Sequence, residues 1–158
     1  MKTNFLKIIP LFVAGIFCCI ASADARKLAR PSKKRHLIEK RLSSSALADM
    51  KIKNVEFGFN KTTIPDNATN NLNNVAKLMK DNNAALKLGG YADNKGGYVY
   101  NWKLSKARAE SVKAYLVSQG ADSSRIAATE YGYTHPIASN KSPIGRKKNR
   151  RVEIHFAN

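Results

Sequence analysis

The chain is poor in the residues that build reactive sites. Its 158 residues include only 2 cysteines, the neighbours Cys18 and Cys19, and both fall inside an apolar opening stretch. With that stretch removed, no thiol remains for a disulfide, a thiolate nucleophile or a cysteine metal site. Histidine is equally scarce. His36, His135 and His155 stand far apart, in a basic tail, a polar loop and a strand, and none has a partner at ligand spacing. Acids are outnumbered, 11 against 28 lysines and arginines, and no two of them are placed as a catalytic pair. Ser105 has no base beside it to activate it. These absences argue against an enzyme and against metal, cofactor or disulfide chemistry.

Long apolar runs are missing too. The longest, from Ile8 to Ile20, falls short of the roughly 20 residues that a membrane span needs, and Pro10 interrupts its start. Lys2 and Lys7 give it a basic approach, and Ala21-Ser22-Ala23 has the small-x-small form that a signal peptidase cuts, with Ala23-Asp24-Ala25 as a second such site. Residues 1–23 therefore read as a signal peptide. An uncleaved inner-membrane anchor is the alternative, and the N-terminal residue of the exported protein separates the two. Phe17 before Cys18, and no leucine three positions ahead of either cysteine, argue against lipidation.

What the chain has in excess is positive charge, a formal +17. That calls for an anionic partner, and nucleic acid, a phospholipid or lipopolysaccharide surface and an acidic wall polymer all qualify. Eight basic residues crowd into "RKLARPSKKRHLIEKR", residues 26–41. Such charge directly after an apolar run resists translocation and counts against export. The cleavage signature outweighs it. Residues 24–47 contain Pro31, end in "SSSA" and read as a basic flexible arm or linker. A short amphipathic helix around Leu37, Ile38 and Leu42 is a second reading of the same stretch, and an arm lying on an anionic outer-membrane surface is a third.

The folded domain is expected over residues 48–158. Val55, Phe57 and Phe59 alternate as on a strand. "TTIPDN" breaks it, and Ala68, Leu72, Val75, Ala76 and Met79 then mark one helix face from Asp66 to about Asn82. "AALKLGGY" reads as a second strand with Leu86 and Leu88 on one side. A second helix runs from about Tyr100 to Ser118, with Leu104, Val112, Tyr115 and Leu116 near one stripe and Gly120 as its stop. "RIAATEYGY" is a third strand, "HPIASNKSPIGRKKN" a polar loop with room for a helical turn, and "RVEIHF" a closing strand with Val152, Ile154 and Phe156 alternating. Strands alternating with helices imply an α+β fold, one mixed sheet with helices packed on one face.

Within that order, Asp93 stands at the end of the second strand, before Gly96-Gly97, and Asn101 and Arg108 share a face of the second helix. An acid facing an amide and a guanidinium suits a zwitterionic ligand: the carboxylate takes an ammonium, and the guanidinium takes a carboxylate through two bonds. The same spacing also suits an ordinary salt bridge tying strand to helix. Tyr98, Tyr100 and Trp102 flank this region and read as packing residues rather than stacking platforms. "RKKNRR", residues 146–151, resembles a nucleic-acid patch in charge alone, with no accompanying RNA- or DNA-binding signature.

Several motifs, in order, resemble those of the OmpA-like peptidoglycan-binding domain family. "FGFNKTTI" is similar to the family's first strand, "GYADNKGG" to its strand-end turn, "YNWKLSKARAESVKAYL" to its helix and "GYTHPIASNKSPIGRKKNRRVEIHF" to its closing segment. The resemblance implies a β-α-β-α-β-β sandwich and non-covalent, non-enzymatic binding of peptidoglycan in the periplasm of a Gram-negative cell. It further implies that Asp93 and Arg108 hold diaminopimelate, the zwitterionic residue of the stem peptide. Asn101 touches the ligand in some members, and Leu104 walls the pocket. Arg146, Asn149 and Arg150 then hold the last loop and strand, which leaves nucleic acid without a role. Two departures stand out. Gly58 occupies a position where the family has an aspartate, for which Asn60 is a candidate substitute, and Ala92 replaces a threonine. They keep open a fold retained for structural or assembly work with weakened binding.

Overall fold

The computed structural model describes residues 41–157; the expected signal peptide and most of the basic arm, with Leu37 and Ile38, lie outside the described residues. Nine elements follow one another: α1 (Ser44–Ala48), β1 (Val55–Glu56), α2 (Asp66–Asn82), β2 (Ala85–Gly90), α3 (Tyr98–Ser118), a 3-10 turn (Ser123–Arg125), β3 (Ile126–Glu130), α4 (Pro143–Asn149) and β4 (Arg151–Ala157). The four strands form one mixed sheet in the order β1-β4-β2-β3. β4 runs antiparallel to both of its neighbours, and β2 and β3 are parallel, joined across α3.

The core lies between one sheet face and the two long helices. Leu86, Leu88, Ile126, Val152, Ile154 and Phe156 point into it from the strands, and all five expected apolar positions of α2 meet them. Lys87 and His155 alternate onto the opposite face, as the period of two requires. α3 divides along its length. Its C-terminal half sends Val112 and Leu116 into the core, whereas its N-terminal half buries Asn101, Ser105 and Arg108. Leu104 and Tyr115, expected on the core stripe, are half-buried. α3 also begins at Tyr98, a little earlier than expected. Gly120 takes φ +89 just beyond the helix end, the left-handed conformation that stops it.

Three expectations are corrected. The alternation Val55-Phe57-Phe59 overstates the first strand. β1 ends at Glu56, a bond from Phe57 N–H to the Arg150 carbonyl at 2.7 Å carries pairing one residue further, and Asn60 then turns left-handed at φ 54. Phe59 is thereby thrown out of the core to 65% exposure. The polar loop before β4 holds a full helix, α4, capped by Ser142 with Pro143 at its first position. The packed body also starts before Ala48. Ser43 caps α1, and Leu47, 3% exposed, belongs to the core cluster. A five-residue helix has no stability of its own. It is docked by Leu47 and by the bond from Leu42 N–H to the Asn82 side chain at 2.7 Å.

Close approach of α3 to the sheet depends on Gly90. A Cβ there would lie 2.1 Å from the carbonyl oxygen of Ser105, with no flexible atom to yield. Ser105 itself accepts from Gly132 N–H at 3.0 Å and donates to the Trp102 carbonyl at 2.8 Å, so its hydroxyl ties α3 to the loop after β3.

Candidate functional site

Asp93 follows β2 and is 3% exposed. Its Oδ1 accepts from Lys95 N–H at 3.0 Å, forming an Asx turn, and Gly96 at φ +97 supplies the sharp bend. Asn101, on the first turn of α3, braces the same turn from the other side: its Nδ2 donates to the carbonyls of Lys95 at 3.0 Å and Gly96 at 3.3 Å. That leaves Asn101 Oδ1 facing inward without a donor, and among the described residues it is the buried side-chain polar atom that lacks a partner. An orphaned acceptor of this kind costs about 1–3 kcal/mol, so it calls for a partner such as a water, an ion or a ligand.

Arg108 is fully buried and is held by backbone alone. Nε donates to the Lys61 carbonyl at 2.9 Å, Nη1 to the Tyr91 carbonyl at 3.0 Å and Nη2 to the Gly58 carbonyl at 3.3 Å, with the Phe57 ring 5.5 Å from Cζ. Three of its five N–H groups are thereby used. Burial and then the neighbouring Arg150 charge lower its pKa to about 10, against the opposing pull of Asp93, so it stays cationic at neutral pH. No ion pair joins Arg108 to a carboxylate among the described residues. The ordinary strand-to-helix salt bridge is therefore not what this pair makes.

The cation that does pair with Asp93 is Arg150. Its Nη1 donates to Asp93 Oδ2 at 2.8 Å and its Nε to the Phe57 carbonyl at 3.1 Å. It joins the residue after β1 to the turn after β2, and it also lines the site, which was not expected. The rest of the closing motif does hold the loop. Asn149 accepts from Ile137 and Ala138 N–H and donates to the Ala138 carbonyl and to Asn140, and Arg146 Nη1 donates to the carbonyls of Asn140 and Lys141.

Together these groups line a small cavity, walled by Asp93, Asn101, Leu104, Arg108 and Arg150, with Phe59, Asn60, Lys95 and Tyr100 at its edge. All four site residues expected from sequence meet here. Asn60 accepts a hydrogen bond from Tyr100 Oη across the edge. Tyr98, Tyr100 and Trp102 are more exposed than packing residues should be, although Tyr98 stacks on Trp102 with centroids 5.7 Å apart.

The OmpA family description matches residues 56–150. The chain belongs to the OmpA family. Among its relatives, the probable lipoprotein YiaD of Escherichia coli is 41% identical over 102 residues, covering 64% of this chain and 47% of the relative. Peptidoglycan-binding protein ArfA of Mycobacterium tuberculosis is 48% identical over 84 residues, covering 52% of this chain and 26% of the relative. The chain thus spans about half or less of the length of the curated relatives it matches. The crystal structure of the peptidoglycan-associated lipoprotein from Burkholderia pseudomallei superposes with a TM-score of 0.65 at 23% identity, over 77% of this chain and 99% of that one, and establishes the shared fold. The expected α+β architecture, one mixed sheet with helices on one face, is the family's.

Proposed function

We propose that this OmpA family domain binds peptidoglycan non-covalently and that its pocket takes the diaminopimelate residue of the stem peptide. The observation that carries the reading is the unpartnered Asn101 Oδ1, set in one cavity with the Asp93 carboxylate and with Arg108, whose charge meets no acid among the described residues. A group bearing both an ammonium and a carboxylate satisfies all three. The ammonium goes to Asp93 and Asn101 Oδ1, and the carboxylate goes to the two N–H groups of Arg108 not bound to backbone. Leu104 covers the methylene chain between them. The relative named as a peptidoglycan-binding protein supports the same class of ligand. None of these roles calls for bond-making, and the module acts as a tether. Its place is the periplasm, with the wall held through this pocket and the basic arm, residues 26–41, resting on an anionic outer-membrane surface.

Co-sedimentation of the full chain with diaminopimelate-type peptidoglycan at moderate salt tests the reading. Wild type should pellet, while Asp93→Ala and Arg108→Ala stay in solution. Equal pelleting of all three assigns binding to bulk charge and sinks the pocket. No pelleting at all supports the second reading, a fold kept for assembly, for which Gly58 in place of an acid is the motive.

A further inference from the structure

A second, larger cavity opens beside the pocket. It is an open groove of about 330 Å³ lined by Phe59, Lys95, Pro143, Arg146 and Arg150. Phe59, Lys95 and Arg150 line both spaces, so the two adjoin. The groove has three cations and no acid among its walls. Arg150 spends Nε on the Phe57 carbonyl and Nη1 on Asp93, which leaves Nη2 free. Arg146 commits only Nη1, to the Asn140 and Lys141 carbonyls, which leaves Nε and Nη2 free. The Lys95 side chain makes no hydrogen bond or ion pair among the described residues. Phe59 and Pro143 provide apolar walls, so an anion entering the groove would exchange water for uncommitted guanidinium N–H groups on a partly dry surface.

We propose that this groove is a second subsite, for a carboxylate carried on a residue adjoining diaminopimelate in the same peptide; it rests on the pocket reading above. One residue of extended chain advances about 3.3–3.6 Å, so a neighbour of the pocketed residue falls where the two cavities meet. Two sources carry this chemistry: the free α-carboxylate of the γ-linked glutamate before diaminopimelate, and the terminal carboxylate of the alanine after it. Arg146 and Arg150 make the groove specific for the charge, and Phe59 adds an apolar wall.

Calorimetric titration of the full chain with four synthetic stem peptides tests this. In them the glutamate α-carboxylate and the terminal carboxylate are free, amidated singly or amidated together. Amidation of one of the two should weaken binding about tenfold, the loss of one charge-assisted pair, and the sensitive position names the source. Arg146→Gln should shrink that ratio towards one. If this variant melts early, Lys95→Gln carries the same comparison. Peptides that bind equally well free and amidated overturn the subsite and leave the pocket standing. Equal losses from both amidations point to diffuse attraction by surface lysines and overturn it as well, as does a ratio untouched by the substitutions. Failure of every peptide to bind removes the pocket and the subsite together.

Discussion

Arg108 and Arg151 are buried to the same degree, 0% and 2% exposed, and are neutralised in opposite ways. Arg151 lies on the open face of the sheet. It is paired with Glu153 at 2.7 Å, bonded to the His135 carbonyl at 3.2 Å and stacked over the Tyr91 ring, with Cζ 3.9 Å from the centroid. Burial alone would raise the Glu153 carboxyl, but the bond and charge of Arg151 outweigh it and hold the carboxyl below its ordinary range. Tyr91, beside the pair, stacks on Tyr131 with centroids 5.0 Å apart, and burial together with the Glu153 charge pushes its phenol to about 12. That cluster is internally complete. Arg108, in contrast, is held by carbonyl dipoles with no carboxylate in contact, while the nearby acid, Asp93, is claimed by Arg150. Two guanidiniums against one carboxylate leave the pocket short of an anion. One buried arginine has its charge answered by a carboxylate inside the fold; the other has its charge answered by backbone dipoles alone.

Exchanging the two side chains' fates is the strongest way to break this contrast. Arg108→Ala should cut affinity for diaminopimelate-type peptidoglycan by about a hundredfold or more, since both the charge and its two-pronged bond are lost. Arg151→Ala should leave wall binding per folded molecule unchanged. It should instead lower unfolding stability by about 3 kcal/mol in urea, because Glu153 is stranded and Tyr91 uncovered. If Arg108→Ala still binds, or Arg151→Ala fails to, the division between the two arginines is wrong.

Gly90→Ala addresses the frame on which Arg108 is presented. The added methyl meets the Ser105 carbonyl at 2.1 Å, so α3 must move off β2. A loss of about 2–3 kcal/mol is expected, with a matching fall in wall binding as Asn101 and Arg108 shift; thermal melts and co-sedimentation read the two together.

Gly58→Asp sharpens the contrast from the opposite side. The backbone there has ordinary φ, and a Cβ would meet only the flexible Lys61 side chain, at 3.1 Å. A carboxylate returned to this position offers the ligand's ammonium a second acceptor, and affinity should rise about tenfold. An unchanged affinity would place the ammonium away from residue 58.

The smallest effect is a pH signature confined to the open face. The Glu153 carboxyl is depressed in the fold. Its stabilisation is therefore complete above the unfolded value near about 4.3 and drains away as pH falls through the folded value. Tyr91 has the opposite sign: its contribution is complete below about 10 and is lost as pH climbs towards about 12. Melting curves of Glu153→Gln should lose the acid part of the slope while wall binding keeps its wild-type pH profile.

How far the sequence discloses the two regions differs for a physical reason. Periodicity is a local signal and reads the core well. Ala68, Leu72, Val75, Ala76 and Met79 all face it, as do Val152, Ile154 and Phe156. The same rule fails at Phe59, because alternation says which side a residue takes but not where the ladder stops, and the left-handed turn at Asn60 is what ends it. It fails again in the N-terminal half of α3, where the buried face is polar because it lines a cavity. Motif resemblance gathers Asp93, Asn101, Leu104 and Arg108 into one cavity. It does not reveal that Arg150, one of several cations in "RKKNRR", is the partner of Asp93. Arg150 and Arg151 are adjacent in sequence and leave the strand in opposite directions, one into the pocket and one onto Tyr91. Only the register of β4 against β1 and β2 decides which goes where.

The position of β4 within the sheet has a consequence in time. It is the last strand in the chain and lies between β1 and β2, which share no edge of their own. A polypeptide emerging N-terminus first exposes Phe57, Asp93 and Arg108 long before Arg150 arrives to join them. The walls of the cavity are therefore complete only once the last of the four described strands has joined the sheet.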